Sequence, residues 1–104
     1  MIITTTENIP NKTIKETLGI VRGNTIQSRH VGRDIMAGLK TIVGGEIKSY
    51  TDMISKARDE ALTRMVAEAE KLGADAILMV RFSTSSVMPQ AAEVLAYGTA
   101  VKLE

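Results

Sequence analysis

The sequence contains no cysteine. This absence excludes a disulfide framework, a thiolate nucleophile, an iron–sulfur cluster and a zinc–thiolate site. The segment Met1–Thr6 lacks the basic and apolar regions of a signal peptide. No run approaches the roughly 18 apolar residues that a membrane-spanning helix needs. We therefore expect a soluble cytoplasmic protein with no membrane partner.

Aromatic side chains are also few, and the net charge is small. The rings are Tyr50, Phe82 and Tyr97, and 13 basic residues, interspersed along the chain, are offset by 12 acidic ones. Proteins that bind nucleic acid usually present a basic patch, and those that bind single strands add rings on which bases stack. Nucleic acid is therefore not an expected partner.

What the chain does have is an ordinary globular composition, with 44% hydrophobic and 24% charged residues over 104 positions. This length and composition predict a single domain, residues 1–104, with one core. The β-branched run Met1–Thr5 predicts a first strand. Thr13–Gln27 predicts either one long bulged strand or a hairpin that turns at Gly23, and we favour the bulged strand.

Two helices are predicted, one shorter and one long. The shorter helix begins at an N-cap, Ser28, and runs to Val43, before a glycine pair. The long helix covers Tyr50–Leu72, where apolar residues recur every three or four positions. Ser49 is its predicted N-cap, and Gly73 is predicted to take the left-handed position after its last turn.

The last third of the chain changes to a strand pattern. Ala76–Phe82 and Val94–Leu103 predict an antiparallel hairpin, joined by a polar loop over Ser83–Gln90. The chain thus predicts an α+β fold. We expect one face of the hairpin to accept the long helix, with the cross-strand pairs Phe82–Ala96, Val80–Gly98 and Leu78–Ala100.

The second face of this hairpin is then strongly apolar. Arg81 is its single charged residue between the apolar side chains of Ile77, Met79, Leu95, Tyr97 and Val101. A face of this kind is too apolar to remain in water. The shorter helix could cover it within one subunit, whereas symmetric assembly would cover it together with the exposed sheet edges. The sequence therefore favours a homo-oligomer.

Two groups of polar residues are candidate ligand sites. At the start of the shorter helix, His30 and Asp34 lie four residues apart and could orient an imidazole as a base or ligand; with Arg29 and Arg33 they also fit a charged helix start without function. A hydrolase built on His30 and Asp34 would lack a nucleophile, so the sequence favours a protein without catalytic residues.

The second candidate group lies in the last two strands. Arg81 is expected opposite Tyr97, with Glu93 towards one end of the same face. These three side chains could bind a small carboxylate or other polar ligand in a cleft between subunits. The alternative, which we favour, is an interface ion pair with an arginine stacked on the ring.

Four segments together resemble the YbjQ family of small bacterial proteins over nearly the whole chain. They are VRGNTIQSRHVGRDIMAGLKTIVGG from Val21, EIKSYTDMISKARDEALTRM from Glu46, GADAILMVRFSTS from Gly73 and AAEVLAYGTAVKL from Ala91. The resemblance implies a dodecin-like fold, with a curved antiparallel sheet against a long helix, and rings of five subunits. It implies no catalytic residue and no cofactor.

The same family carries a heavy-metal-binding label. Soft metal ions favour thiolate and imidazole ligands, and the chain offers only one histidine, His30. A soft-metal site within one subunit would have to use thioethers and carboxylates such as Asp34. A ring could instead bring several copies of His30 together on its axis. Homo-oligomerisation, with a small molecule or metal ion at the interfaces, is therefore the partner prediction.

Overall fold

The computed structural model of the chain describes residues 1–28, 48–88 and 91–104. Its elements are strands β1 (Ile2–Ile3) and β2 (Ile14–Ser28), helix α1 (Lys48–Lys71), and strands β3 (Ala76–Met88) and β4 (Ala91–Leu103). The strands form one sheet in the order β1-β3-β4-β2, with α1 packed on one face. The predicted α+β fold is confirmed, and the predicted shorter helix over 28–43 lies outside the described residues apart from Ser28, which ends β2.

The sheet is mixed rather than wholly antiparallel, which corrects the prediction. β1 runs parallel to β3, whereas β4 is antiparallel to both of its neighbours. Backbone hydrogen bonds join the start of the chain to the beginning of β3. The Ile2 amide donates to the Asp75 carbonyl at 3.4 Å and the Thr4 amide donates to the Ile77 carbonyl at 3.0 Å.

Strand β2 is continuous over 15 residues, so the bulged-strand prediction is confirmed and the hairpin at Gly23 is wrong. Its register with β4 shifts twice before Gly19 and then runs without interruption to Ser28. Gly23 is required by packing, because a Cβ at this position would overlap the Ala61 carbonyl oxygen and the Met65 amide nitrogen of α1.

Helix α1 is the predicted long helix, begun two residues earlier than expected. Ser49 therefore lies within the first turn and is not the N-cap. The C-terminal prediction is confirmed: Gly73 has φ 77°, its amide donates to the Glu70 carbonyl at 3.0 Å, and the Ala74 amide donates to the Ala69 carbonyl at 3.1 Å. These two bonds form a Schellman motif, which satisfies carbonyls at the end of the helix.

The core face of α1 is built from small residues and one methionine. Ala57, Ala61, Met65 and Ala69 have no exposed surface. Because alanine projects so little, the helix backbone approaches the sheet closely at β2. The buried Thr25 hydroxyl donates to the Ala57 carbonyl at 3.2 Å and fixes the same contact.

Within the described ranges, no helix is long and apolar enough to cross a bilayer.

A β-bulge in β3 changes the predicted pairing of the hairpin. Phe82 lies opposite Ala96 as predicted, but Ile77 lies opposite Ala100, so the predicted Leu78–Ala100 pair is wrong. The register shifts by one residue between Leu78 and Arg81. The shift centres on Met79, whose φ of 56° is left-handed. Val80 therefore does not pair regularly with Gly98, because Met79 and Val80 together occupy the place opposite that glycine.

The N-terminal segment holds this bulge in place. The Met79 amide donates to the Thr6 carbonyl at 3.1 Å, and the Val80 amide donates to the Thr4 carbonyl at 3.0 Å. Before the bulge, the extra residue reverses which side chains face α1, since side chains alternate along a strand. Ile77 therefore enters the core beneath α1, although the sequence analysis placed it on the second face.

The second face is partly covered from within the chain, which also differs from the prediction. Ala76, Leu78 and Val101 form a small buried cluster against which Ile9 and Leu103 pack. The rest of this side of the sheet is less covered: Tyr97 is 38% exposed, and on the neighbouring strand β2 Ile20 is 79% and Ile26 62% exposed.

The hairpin is longer than the sequence predicts. β3 continues through the hydroxyl-rich stretch to Met88 and β4 begins at Ala91, so most of the predicted loop over Ser83–Gln90 is strand. Strand β2 alone spans about 50 Å at roughly 3.3 Å per residue. The longest dimension of the molecule is 53 Å, and its radius of gyration is 17.0 Å, whereas a compact chain of this length has about 13 Å.

Candidate ligand-binding face of the sheet

The candidate site is the part of the sheet that faces away from α1, which we call the open face. Val21, Gly23 and Thr25 of β2 are buried towards the helix, so the residues between them point to the other side. The residues directly opposite them on β4 and β3 share that side. The open face therefore consists of Ile20, Arg22, Asn24, Ile26, Arg81, Ser83, Ser85, Glu93, Leu95, Tyr97 and Thr99.

A row of three polar side chains crosses the middle of the open face. Tyr97 lies on the central strand β4, with Arg22 of β2 opposite it on one side and Arg81 of β3 opposite it on the other. The predicted Arg81–Tyr97 pairing is thus confirmed. The row carries two guanidinium groups beside one phenol ring, a combination that suits a carboxylate or another planar anion.

The guanidinium group of Arg81 is fixed at the outer edge of β3. Its Nη1 donates to the Val80 carbonyl at 2.9 Å and to the Thr5 carbonyl at 3.1 Å. One acceptor lies in the bulge of β3 and the other in the N-terminal segment, so Arg81 ties that segment to β3. Its remaining N–H groups keep their capacity to donate to a ligand or to another chain.

Glu93 lies apart from Arg81 and Tyr97. It is four residues before Tyr97 on the same strand, which places the two about 13 Å apart along β4. Asn24 Nδ2 donates to Glu93 Oε2 at 3.1 Å, so the carboxylate has a partner on β2. The three predicted site residues thus form two groups, Arg81 with Tyr97 and Glu93 with Asn24.

The sequence did not indicate that Arg22 and Asn24 share this face with Tyr97 and Glu93. Within the described part of the chain, the Arg22 side chain makes neither a hydrogen bond nor an ion pair. The backbone carbonyl of Asn24 accepts a hydrogen bond from Arg64 Nη1 of α1. Their alternation along β2 was visible in the sequence. The missing information was that β2 is the strand next to β4, which brings Arg22 beside Tyr97.

The other candidate group, Arg29, His30, Arg33 and Asp34, lies outside the described residues. The metal-ligating side chains of the chain can still be compared with those that a heavy-metal ion prefers. The chain has no cysteine and one histidine, and residues 1–28, 48–88 and 91–104 hold no group of three potential metal-ligating side chains. These residues do not fit a soft-metal site within one subunit.

Comparison with known proteins identifies the family. A family model described as "Putative heavy-metal-binding", YbjQ, matches residues 1–104. A UPF0145 protein of Thermotoga maritima is 62% identical over 104 residues, covering 100% of this chain and 98% of the relative. A UPF0145 protein of Archaeoglobus fulgidus is 62% identical over 103 residues, covering 99% and 95%.

A solved structure matches the fold. The crystal structure of a protein of unknown function from Pediococcus pentosaceus, of the DUF74 family, superposes with a TM-score of 0.68 at 21% identity. The match covers 100% of this chain and 98% of that chain. Because the family model and the curated relatives span the full length of the sequence, the chain belongs to the YbjQ (UPF0145) family.

Proposed function

We propose that this protein is a binding or scaffold protein without catalytic residues, assembled in the cytoplasm as a ring of five identical subunits that holds small ligands at subunit junctions. The observation that carries the proposal is the open face. Ile20 and Ile26 are 79% and 62% exposed there, beside the partly exposed ring of Tyr97. Tyr97 and Leu95 of β4 lie diagonally between the two isoleucines on the same side of the sheet, so the four side chains form one apolar strip. A contiguous apolar surface of this kind marks an interaction site.

The dimensions of the chain support assembly as well. A radius of gyration of 17.0 Å means that one subunit leaves more surface in water than a compact domain of its length. Burial of that surface between subunits would supply stability that a single small core provides only marginally. The number five rests on the resemblance to the YbjQ family.

Native mass spectrometry of untagged protein tests the assembly. We expect a complex of five chains, each of 11.2 kDa. Under denaturing conditions the same sample should return the mass of the single chain. A spectrum that shows the single chain alone, at micromolar protein concentration under native conditions, would contradict the proposal.

The ligand we propose for the open face is a small carboxylate. Arg22 and Arg81 supply charged donors on either side of Tyr97, and the face offers no acid closer than Glu93, which is already bonded to Asn24. A carboxylate that co-purifies would add its mass to the native complex. We expect that added mass to disappear in Arg22→Gln, while Glu16→Gln, also exposed on β2, should keep it.

A second candidate function is heavy-metal binding, which the description of the family model favours. The ligands would be His30 and Asp34 from several subunits, because the described residues of one subunit do not provide a site. Titration with zinc, copper or nickel should then show saturable binding that is lost in His30→Ala. Unchanged affinity in that variant would remove His30 from the proposal.

A further inference from the structure

We infer that the carboxylate ligand of the open face carries an ammonium group at its other end, so that the ligand is a linear ω-amino carboxylate. This inference rests on the proposed function, because the carboxylate end of the ligand occupies the site proposed there beside Tyr97. It adds the site of the second charged end, at Glu93 of β4, and the length of the aliphatic chain between the two ends.

The open face carries charges of both signs in separate places. Arg22 and Arg81 flank Tyr97 in one row of paired residues, whereas Glu93 lies two rows further along β4. The two rows are about 13 Å apart, which is too far for a direct ion pair. Within residues 1–28, 48–88 and 91–104, neither Arg22 nor Glu93 has an ion-pair partner. The face therefore has a positive end and a negative end, and a ligand with the reverse order of charges would complement both.

The surroundings of Glu93 suit an ammonium group. Its Oε2 accepts a hydrogen bond from Asn24 Nδ2 at 3.1 Å, which orients the carboxylate and leaves Oε1 able to accept from a ligand. Ser85 lies directly opposite Glu93 on β3, so its hydroxyl shares the open face. An alkylammonium group has three N–H donors, for which a carboxylate and a hydroxyl supply acceptors. The residue opposite Glu93 on β2 is Ile26, which cannot neutralise the carboxylate.

Apolar side chains lie between the two charged ends. Leu95 lies between Tyr97 and Glu93 on the open side of β4, and Ile26, beside Glu93, is 62% exposed. A methylene chain lying on Leu95 would remove apolar surface from water. The face therefore favours an aliphatic chain between the two charged groups of the ligand.

The positions of the charged side chains define the length of that chain. Glu93 and Tyr97 are about 13 Å apart along the strand, but the Glu93 carboxylate turns towards Asn24, whose row is about 7 Å from that of Arg22. The two charged groups of the ligand should therefore be between about 7 and 13 Å apart. An extended 8-aminooctanoate fits, because its charged ends are roughly 10 Å apart by standard bond lengths. An α-amino acid does not, because one carbon carries both of its charged groups.

Isothermal titration calorimetry of the untagged chain with matched ligands tests the inference. We expect 8-aminooctanoate to bind about tenfold more tightly than octanoate, because its ammonium group adds a charge-assisted hydrogen bond at Glu93. The short homologue 4-aminobutanoate should show no such gain over butanoate, because it cannot reach both ends of the site. Octylamine, which lacks the carboxylate, should bind more weakly than 8-aminooctanoate.

Two substitutions of Glu93 change the specificity in different ways. Glu93→Gln keeps an acceptor for Asn24 and removes the charge, so its affinity for 8-aminooctanoate should fall about tenfold, while its affinity for octanoate should not fall. Glu93→Lys should prefer octanedioate, which has a carboxylate at each end, whereas the wild type should prefer 8-aminooctanoate. Circular dichroism checks that each variant is folded, and either variant suffices for the test.

Control variants on β2 complete the set. Arg22→Gln should weaken the binding of octanoate and of 8-aminooctanoate by the same factor, because both ligands place a carboxylate there. Glu16→Gln removes an exposed charge outside the open face and should bind both ligands like the wild type.

The outcomes separate this inference from the proposed carboxylate site. Equal affinity of the wild type for octanoate and 8-aminooctanoate, with both weakened in Arg22→Gln, would overturn the ω-amino assignment and leave the carboxylate site. Binding of neither ligand would overturn both. A preference for 8-aminooctanoate that is unchanged in Glu93→Gln would overturn the inference, because the ammonium group would then lie elsewhere.

Discussion

Gly23→Ala is expected to lower the free energy of unfolding by about 3 kcal/mol, at the upper end of the usual range for an added methyl group in a packed interior. The new Cβ would overlap the Ala61 carbonyl oxygen and the Met65 amide nitrogen, with the Arg64 Cβ also close. Two of these three atoms are helix backbone, so the strain cannot be relieved by a rotamer change. Urea denaturation at fixed protein concentration measures the loss.

Gly73→Ala is the matched control, since it adds the same methyl group where there is room. The nearest atoms to its Cβ are Lys102 Nζ and Cε at 3.6 and 3.7 Å, at the end of a flexible side chain. Its cost comes from φ 77° alone and should be about 1 kcal/mol. Equal losses in the two variants would contradict the close approach of α1 to β2.

Ile77→Ala is expected to cost about 3 kcal/mol, whereas Met79→Ala should cost about 1 kcal/mol or less. Ile77 has no exposed surface and is among the largest fully buried side chains, whereas Met79 is 42% exposed. Strict alternation would place Ile77 and Met79 on the same side of the sheet with similar burial. The difference between the two variants therefore reports the bulge directly.

The measurement is again denaturant unfolding, with the two variants compared at one protein concentration. A third variant, Leu78→Ala, should resemble Ile77→Ala, because Leu78 is buried in the small cluster under Ile9. If Met79→Ala were instead the more destabilising change, the register shift between Leu78 and Arg81 would be wrong.

Features governed by local sequence were predictable. The four-residue spacing of Ala57, Ala61, Met65 and Ala69 defined α1 and its buried face, and Gly73 marked its end. These features depend on residues within a few turns of one another. The Phe82–Ala96 and Arg81–Tyr97 pairs were also predictable, because they lie on the regular side of the bulge.

Features that depend on distant segments were not predictable. The bulge at Met79 is held by the carbonyls of Thr4 and Thr6, which lie far away in the sequence, and methionine rarely adopts a left-handed φ. The polar stretch from Ser83 looked like a loop because hydroxyl residues favour turns, yet it pairs with β4 as a strand.

The candidate site shows the same division. Arg81 and Tyr97 could be paired from the C-terminal hairpin alone. Arg22 joins them only because β2, the other long strand, lies beside β4 in the sheet. Gly23 was the one residue of β2 that could have indicated a helix packed closely on this strand. From the sequence, a turn or a bulge explained that glycine equally well.

Another copy of the chain is expected to cover Ile20 and Ile26 in solution, and the proposed ring depends on this. Carbene labelling with residue-level mass spectrometry tests it most directly, because the label reacts with exposed aliphatic side chains. At micromolar concentration both isoleucines should be protected in the wild type, and this protection should fall on dilution below the concentration at which the complex dissociates. Strong labelling of both side chains in the wild type, unchanged by dilution, would contradict the account.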